Sequence, residues 1–269
     1  MSIERAVFHT STGQERQYLF NPAAQPSGDI FIFLHGSTQS AQVIRHFSGN
    51  QWDRLNDYGL HVIYPEGIGR HWNDGRKYFA ERTRLLETDD AAFINELARS
   101  IAPNGRVFCG GFSNGGHMVF RLLHEYPGLI SGALIIGATQ PVAEEFLCSA
   151  HGYIPTPTLL MHGTDDPIIP FAGGDIQLVS RNNRGRVLGL EDTAHYYAVL
   201  NRENRPATRV TGLSGYQYLD YGSVVAYILE GVGHHIPTAQ PVESTVLGPG
   251  TDRFEAVDAA IDFFGFQRA

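Results

Sequence analysis

The chain has 269 residues, 42% of them hydrophobic and spread along the whole length, which is enough to bury a sizeable core. Its formal net charge is -8, from 20 basic and 28 acidic side chains, with no Lys/Arg cluster beyond a scattering such as Arg181, Arg184 and Arg186. That distribution argues against a nucleic-acid partner and against an anionic membrane surface, and no apolar run approaches the roughly 20 residues of a membrane helix.

The expectation is one globular domain over residues 1–269, with no internal repeat and no linker. The opening Met1-Ser2-Ile3-Glu4-Arg5 lacks the apolar core of a signal peptide. A cytoplasmic location follows if Met1 is native, and a secreted one if a leader has been removed. Cys109 and Cys148 imply no disulfide framework, and Cys109, inside an apolar run, reads as a buried thiol. The oligomeric state is left open.

Along the chain, short apolar runs alternate with helical patterns. Ile30-Phe31-Ile32-Phe33-Leu34 predicts a buried strand, residues 41–58 a helix stopped by Gly59, and His61-Val62-Ile63-Tyr64 a second strand ended by Pro65. A loop rich in Gly and aromatics spans residues 67–79. Thr88-Asp89-Asp90 marks a helix start that carries Phe93, Ile94, Leu97 and Ile101 on one face. Strands are expected at Arg106-Val107-Phe108-Cys109, Ala133-Leu134-Ile135-Ile136, Thr158-Leu159-Leu160-Met161 and Val224-Val225-Ala226-Tyr227-Ile228-Leu229. Helices are expected at 114–126, 192–201 and 252–264, and a small polar excursion at 175–186. Continuously apolar strands separated by helices indicate an α/β protein with a mostly parallel central sheet, helices on both faces and no large lid domain.

Gly110-Gly111-Phe112-Ser113-Asn114-Gly115-Gly116 contains G-x-S-x-G between a strand and a helix. This is the context of a nucleophile elbow, the sharp turn of the α/β-hydrolase fold that lifts a serine to the top of the sheet. Gly111 and Gly115 leave room in the bend. A serine hydroxyl needs a base, and in this fold the order is Ser, then acid, then His. The loop His162-Gly163-Thr164-Asp165-Asp166-Pro167 supplies Asp166 as the acid, with Asp165 the alternative. Leu229-Glu230-Gly231-Val232-Gly233-His234-His235 supplies His234 as the base, with His235 the alternative. Adjacent histidines in an extended loop point opposite ways, so the pair is a poor metal chelate. No metal and no cofactor are expected.

An oxyanion hole requires two oriented backbone donors. Asn114 N–H is one, and Leu34-His35-Gly36-Ser37-Thr38-Gln39 offers Ser37 N–H as the other, with Thr38 the alternative. His35 is expected to be structural, buried beneath this loop.

These pieces resemble the polyhydroxybutyrate depolymerase / feruloyl esterase family of α/β-hydrolases. The resemblance is carried in order by Leu34-His35-Gly36 with Gln39, Tyr64-Pro65-Glu66-Gly67, Trp72-Asn73 and Asp89-Asp90-Ala91-Ala92-Phe93-Ile94. It continues through Gly111-Phe112-Ser113-Asn114-Gly115-Gly116-His117-Met118, the His162 to Pro167 loop and Gly231-Val232-Gly233-His234-His235-Ile236-Pro237. It implies Ser113 as nucleophile, Asp166 as acid and His234 as base, acting on short-chain, hydroxyalkanoate-oligomer, feruloyl or acetyl esters. The family often shows Trp where Ile236 stands, and many relatives are disulfide-rich. Both departures favour a small soluble ester over a polymer.

In the expected mechanism His234 takes the Ser113 proton, Asp166 orients the imidazole, and an acyl-Ser113 is hydrolysed by water activated by the same His234. Tyr64, His71, Trp72, Asn73 and Tyr78 are expected around the pocket, Trp72 either stacking on substrate or packing the loop on the core. Thr38 and Gln140 are further contact candidates. Thioester or peptide hydrolysis on the same fold, and a non-catalytic ligand-binding relative, are the alternative readings.

Overall fold

The computed structural model describes residues 3–177, 184–212 and 214–269. Among these, the strands are β1 (Glu4–His9), β2 (Glu15–Asn21), β3 (Ile30–Leu34), β4 (His61–Pro65), β5 (Val107–Phe112), β6 (Gly132–Ile136), β7 (Thr158–Gly163), β8 (Gly173–Asp175), β9 (Arg186–Leu188), β10 (Thr208–Thr211), β11 (Gln217–Asp220) and β12 (Val224–Leu229). The α-helices are α1 (Ala41–Phe47), α2 (Arg82–Leu85), α3 (Asp90–Ile101), α4 (Asn114–Glu125), α5 (Leu190–Leu200) and α6 (Ala256–Phe264). One sheet runs in the order β1-β2-β4-β3-β5-β6-β7-β12-β11-β10. Its centre, from β4 to β12, is parallel, and antiparallel strands flank it on both sides.

The central strands are apolar throughout because both faces of the sheet are covered. On β3, Ile30, Ile32 and Leu34 pack in one core with Ala91, Phe93 and Leu97 of α3, Met118 and Leu122 of α4, and Tyr197 of α5. Phe31 and Phe33 point the other way, into a second core with Ile44 of α1, Trp52, and Val257 and Ile261 of α6. Helices therefore cover both faces, and the architecture is the α/β-hydrolase fold with a mostly parallel sheet.

Local structure departs from the sequence expectations at the first helix, the last helix and the N-terminal hairpin. The helix expected over 41–58 is two pieces, α1 and a 3-10 segment at Gln51–Tyr58, because Gly49 (φ 66°) and Asn50 (φ 57°) turn left-handed between them. Gln51 holds that break by donating from Nε2 to Ser48 O and Pro237 O, both at 2.9 Å. The last helix starts at Ala256 rather than near 252. The hairpin of β1 and β2 was not anticipated, since its strands are half exposed and read as ordinary polar sequence. The polar excursion at 175–186 falls partly on residues 178–183, which lie outside the described residues, and its flanks pair as β8 and β9. No helix among the described residues is long and apolar enough to cross a membrane.

Candidate active site

β5, β7 and β12 run parallel in the centre of the sheet, so the loops that follow them leave from the same edge. That is where open α/β sheets place their ligands. Ser113 stands between β5 and α4 with φ 55° and ψ -116°, a conformation few non-glycine residues adopt. Its N–H donates to Ile136 O at 2.9 Å, fixing the turn to β6. The flanking glycines are obligatory. A Cβ on Gly115 would overlap the Leu34 carbonyl and lie 2.7 Å from His35 O, and one on Gly111 would lie 2.7 Å from Gly116 N.

Asp166 follows β7 and His234 follows β12, and their loops are laced together by Asp165 N–H donating to Val232 O at 3.0 Å and Gly231 N–H to Thr164 Oγ1 at 2.9 Å. Asp166 Oδ2 lies 2.7 Å from His234 Nδ1, with the carboxylate fully covered by protein. Its other oxygen, Oδ1, accepts from the N–H groups of Ile168 (2.8 Å) and Ile169 (2.9 Å). Burial works to raise the pKa of Asp166, but the neighbouring His234, then His162 and the Ile169 N–H, outweigh it and hold the carboxyl below its ordinary value.

The alternatives are placed elsewhere. Asp165 is exposed, its Oδ1 taken by Thr164 Oγ1. His235 donates from Nε2 to Gly248 O at 3.0 Å and stacks on Phe47.

His234 also lies near the elbow. Its ring centroid is 4.7 Å from that of Phe112, and a Cβ on Gly137 would lie 3.2 Å from its Cε1. Ser113 and His234 open onto one cavity of about 350 Å³. Among the described residues Ser113 Oγ has no hydrogen-bond partner. A serine–histidine contact that is loose without substrate is common, because such bonds tighten when substrate binds.

The loop after β3 closes the other side. A Cβ on Gly36 would lie 3.4 Å from Ser113 Cβ, and Gly36 N–H is held by Gln39 Oε1 at 2.8 Å. Thr38 N–H is committed to Arg70 O at 2.9 Å, whereas Ser37 N–H has no acceptor among the described residues. Ser37 is thus the loop donor still free, and Asn114 N–H lies in the first turn of α4, where helix N–H groups lack intrahelical partners.

His35 sits fully buried beneath this loop, donating from Nδ1 to Gly36 O and accepting at Nε2 from Gly67 N–H. Burial lowers its pKa to about 4, so the imidazole stays neutral. His117, one turn after Ser113, contacts Ser113 O through Nδ1 at 3.2 Å. Burial and then Arg76 lower its pKa to about 3.

Of the four substrate-contact candidates, Thr38 lines the cavity and the other three do not. Trp72 is 0% exposed, and its Nε1 donates to His35 O at 2.9 Å, so it packs the loop onto the core. Asn73 is consumed by the protein, its Nδ2 donating to Thr88 O and its Oδ1 accepting from Arg84. Gln140 accepts from Tyr197 OH of α5 at 2.7 Å. Tyr64 is likewise buried, bound to Asp53, and Tyr78 faces solvent. His71, expected around the pocket, does line the cavity, together with Arg76, Glu81, Ile168, Ile169, Ile176, Arg184 and Leu247. The pair Ile168-Ile169 directly after Asp166-Pro167 was a readable signal. Arg184 was not, because only the fold brings it to Glu81.

A family model described as phospholipase/carboxylesterase matches residues 84–188, which include the elbow and the Asp166 loop. A curated protein named "Putative esterase NocK", from Nocardia uniformis subsp. tsuyamanensis, is 26% identical, aligned over 90% of this chain and 75% of its own length. Among solved structures, acetyl xylan esterase from Aspergillus awamori superposes with a TM-score of 0.63 at 17% identity, covering 99% of this chain and 100% of that one. A protein described as a predicted CIB-like hydrolase from Thermoplasma acidophilum gives 0.57 at 17% identity, covering 98% of each chain. The structural likenesses establish the α/β-hydrolase fold. Together with the family match and the curated relative, they support a hydrolase of the carboxylesterase kind.

Proposed function

We propose that the chain is a serine carboxylic ester hydrolase, a single catalytic domain in which Ser113 is the nucleophile, His234 the base and Asp166 the acid. The observation that carries this reading is the 2.7 Å bond from His234 Nδ1 to a buried Asp166, made where His234 opens onto the same cavity as the strained Ser113. With Nδ1–H held by Asp166, Nε2 is the nitrogen left to take the Ser113 proton. Ser37 and Asn114 N–H groups receive the oxyanion, His234 protonates the leaving alcohol, and water attacks the acyl-Ser113 with His234 again as base. Short esters suit a cavity at the small end of the range for ligand sites. The resemblance to polyhydroxybutyrate depolymerase-like and feruloyl esterases adds hydroxyalkanoate-oligomer, feruloyl and acetyl esters to the list.

A fluorophosphonate probe tests the reading. Wild type is expected to be labelled and Ser113→Ala not. Labelling of both alike, or of neither, overturns it. A panel of p-nitrophenyl esters, feruloyl esters, thioesters and peptides then separates ester hydrolysis from thioester or peptide hydrolysis.

A further inference from the structure

The two oxyanion donors come from different parts of the sheet edge, Ser37 N–H from the loop after β3 and Asn114 N–H from the start of α4. One segment touches both. Trp72 Nε1 donates to His35 O at 2.9 Å, in the loop that carries Ser37. The peptide groups of the same residue hold Asn114. Trp72 N–H donates to Asn114 Oδ1 at 2.8 Å, and Asn114 Nδ2 donates to Trp72 O at 3.1 Å. Asn114 Nδ2 also donates to Asp74 Oδ2 at 2.7 Å, so the amide uses both of its donors within residues 72–74.

Asp74 is closed off from water, its side chain 0% exposed. Arg76 faces it with Nη2 at 2.6 Å from Oδ2 and Nε at 3.1 Å from the same oxygen, and Arg76 N–H donates to Oδ1 at 3.0 Å. Burial works to raise the pKa of Asp74, but Arg76 and then His117 outweigh it, so the acceptor that faces Asn114 is an ionised carboxylate. A hydrogen bond to an ionised acceptor is stronger than one between neutral groups.

The peptide that joins Ser113 to Asn114 is held from its other side as well. Ser113 O accepts from His117 N–H at 3.0 Å and from His117 Nδ1–H at 3.2 Å. In a trans peptide the N–H points opposite to the carbonyl, so a carbonyl fixed toward α4 aims Asn114 N–H away from the helix. Ser113 carries backbone strain at φ 55° and ψ -116°, and turning this peptide would relieve it. The bonds of the Asn114 side chain oppose that turn.

We propose that Asp74 is a positioning residue for the oxyanion hole, acting through the Asn114 amide to hold the Ser113–Asn114 peptide with its N–H toward the substrate carbonyl. The proposal rests on the ester-hydrolase reading of the same site. Asp74 touches no reacting atom. Its contribution is that the donor is already oriented when negative charge develops on the carbonyl oxygen.

Exchanging the amide and the carboxylate tests this. Asn114→Asp keeps the size and the backbone N–H but sets a second carboxylate against Asp74. Its kcat on p-nitrophenyl acetate is expected to fall about 100-fold, with KM within about threefold of wild type. A trifluoromethyl ketone, which forms a tetrahedral adduct on the serine, is expected to bind more weakly by about the same factor as the loss in kcat. Asn114→Asp combined with Asp74→Asn again sets one amide against one carboxylate, and is expected to recover about tenfold or more of that loss.

Rates are referred to the sites titrated by a fluorophosphonate, and thermal melts establish which variants are folded. Where Asn114→Asp is not, Asn114→Ala, which leaves Asp74 and Arg76 paired, takes its place with an expected fall in kcat of about tenfold. A kcat like that of wild type, a fall in kcat with ketone affinity unchanged, or no recovery in the exchanged pair overturns the proposal. If wild type hydrolyses ester and binds the ketone and the variants match it, only the positioning role falls. If wild type does neither, the hydrolase reading falls and this role with it.

Discussion

Asp166 divides its carboxylate between two tasks, Oδ2 to His234 Nδ1 at 2.7 Å and Oδ1 to the N–H groups of Ile168 and Ile169. The second task holds the first in place. Asp166→Asn keeps the size but offers an amide where His234 needs an acceptor, so ester turnover is expected to fall about 10³–10⁴-fold in kcat with little change in KM. Asp165→Asn, at an exposed neighbour, is expected to keep the wild-type rate. Steady-state kinetics on one p-nitrophenyl ester checks both, and the reverse pattern would move the acid to Asp165.

Gly115 is where α4 passes closest to the loop after β3, with its missing Cβ aimed at the Leu34 and His35 carbonyls. Gly115→Ala is expected to cost about 2 kcal/mol or more, a fall in Tm on the order of 4–8 °C. Gly231→Ala is the comparison, since that glycine has positive φ, which Gly115 lacks, but open space around it. Only backbone strain of about 1 kcal/mol is expected there. Equal losses in the two variants would contradict the close approach at the elbow.

Acidification should weaken the fold through its buried histidines. His35 and His117 are buried with pKa values lowered to about 4 and about 3, against 6.5 in the unfolded chain. Below 6.5 the unfolded state binds protons that the folded state refuses, so stability is complete above that value and is lost as pH falls toward the folded values. Between pH 7 and pH 5 each histidine is expected to remove about 2 kcal/mol. Burial also lowers the pKa of His162, His124, His235 and His61, so urea melts at the two pH values measure the sum over all of these, and His117→Gln should reduce the dependence by its own share of about 2 kcal/mol. A midpoint that does not move between pH 7 and pH 5 would show that these imidazoles are not held neutral.

Trp72 is a packing residue rather than a substrate contact. Trp72→Phe leaves His35 O without its donor and is expected to cost about 1–3 kcal/mol of stability while leaving the ranking of aromatic against aliphatic esters unchanged. A selective loss on feruloyl esters would restore the stacking role.

Much of the site was legible because its signals are local. G-x-S-x-G, the aspartate after an apolar strand and the glycine-flanked histidine each depend on a few neighbouring residues, and the fold of alternating apolar strands and helices places them at one sheet edge. The contacts of the cavity wall were not legible. Trp72, Asn73 and Gln140 have the right chemistry for binding, but each faces an internal partner, His35 O, Thr88 O or Tyr197 OH, that only tertiary packing supplies. Arg184 and Glu81 meet across 103 residues of sequence, a separation no local pattern spans. The break at Gly49-Asn50 was missed for a related reason. Gln51 finds better hydrogen bonds at Pro237 than a continuous helix could offer it.

The left-handed backbone at residue 113 sets reactivity against endurance in this chain. A side chain is kept at φ 55° only because the surrounding turn insists on it, and glycine would sit there without protest. Ser113→Gly should therefore melt later than the parent, by roughly the 1–3 kcal/mol such a conformation stores, and be inert. On the proposed reading, selection for heat resistance alone would drift toward that substitution, and the need to turn over substrate is what keeps a hydroxyl at the bend.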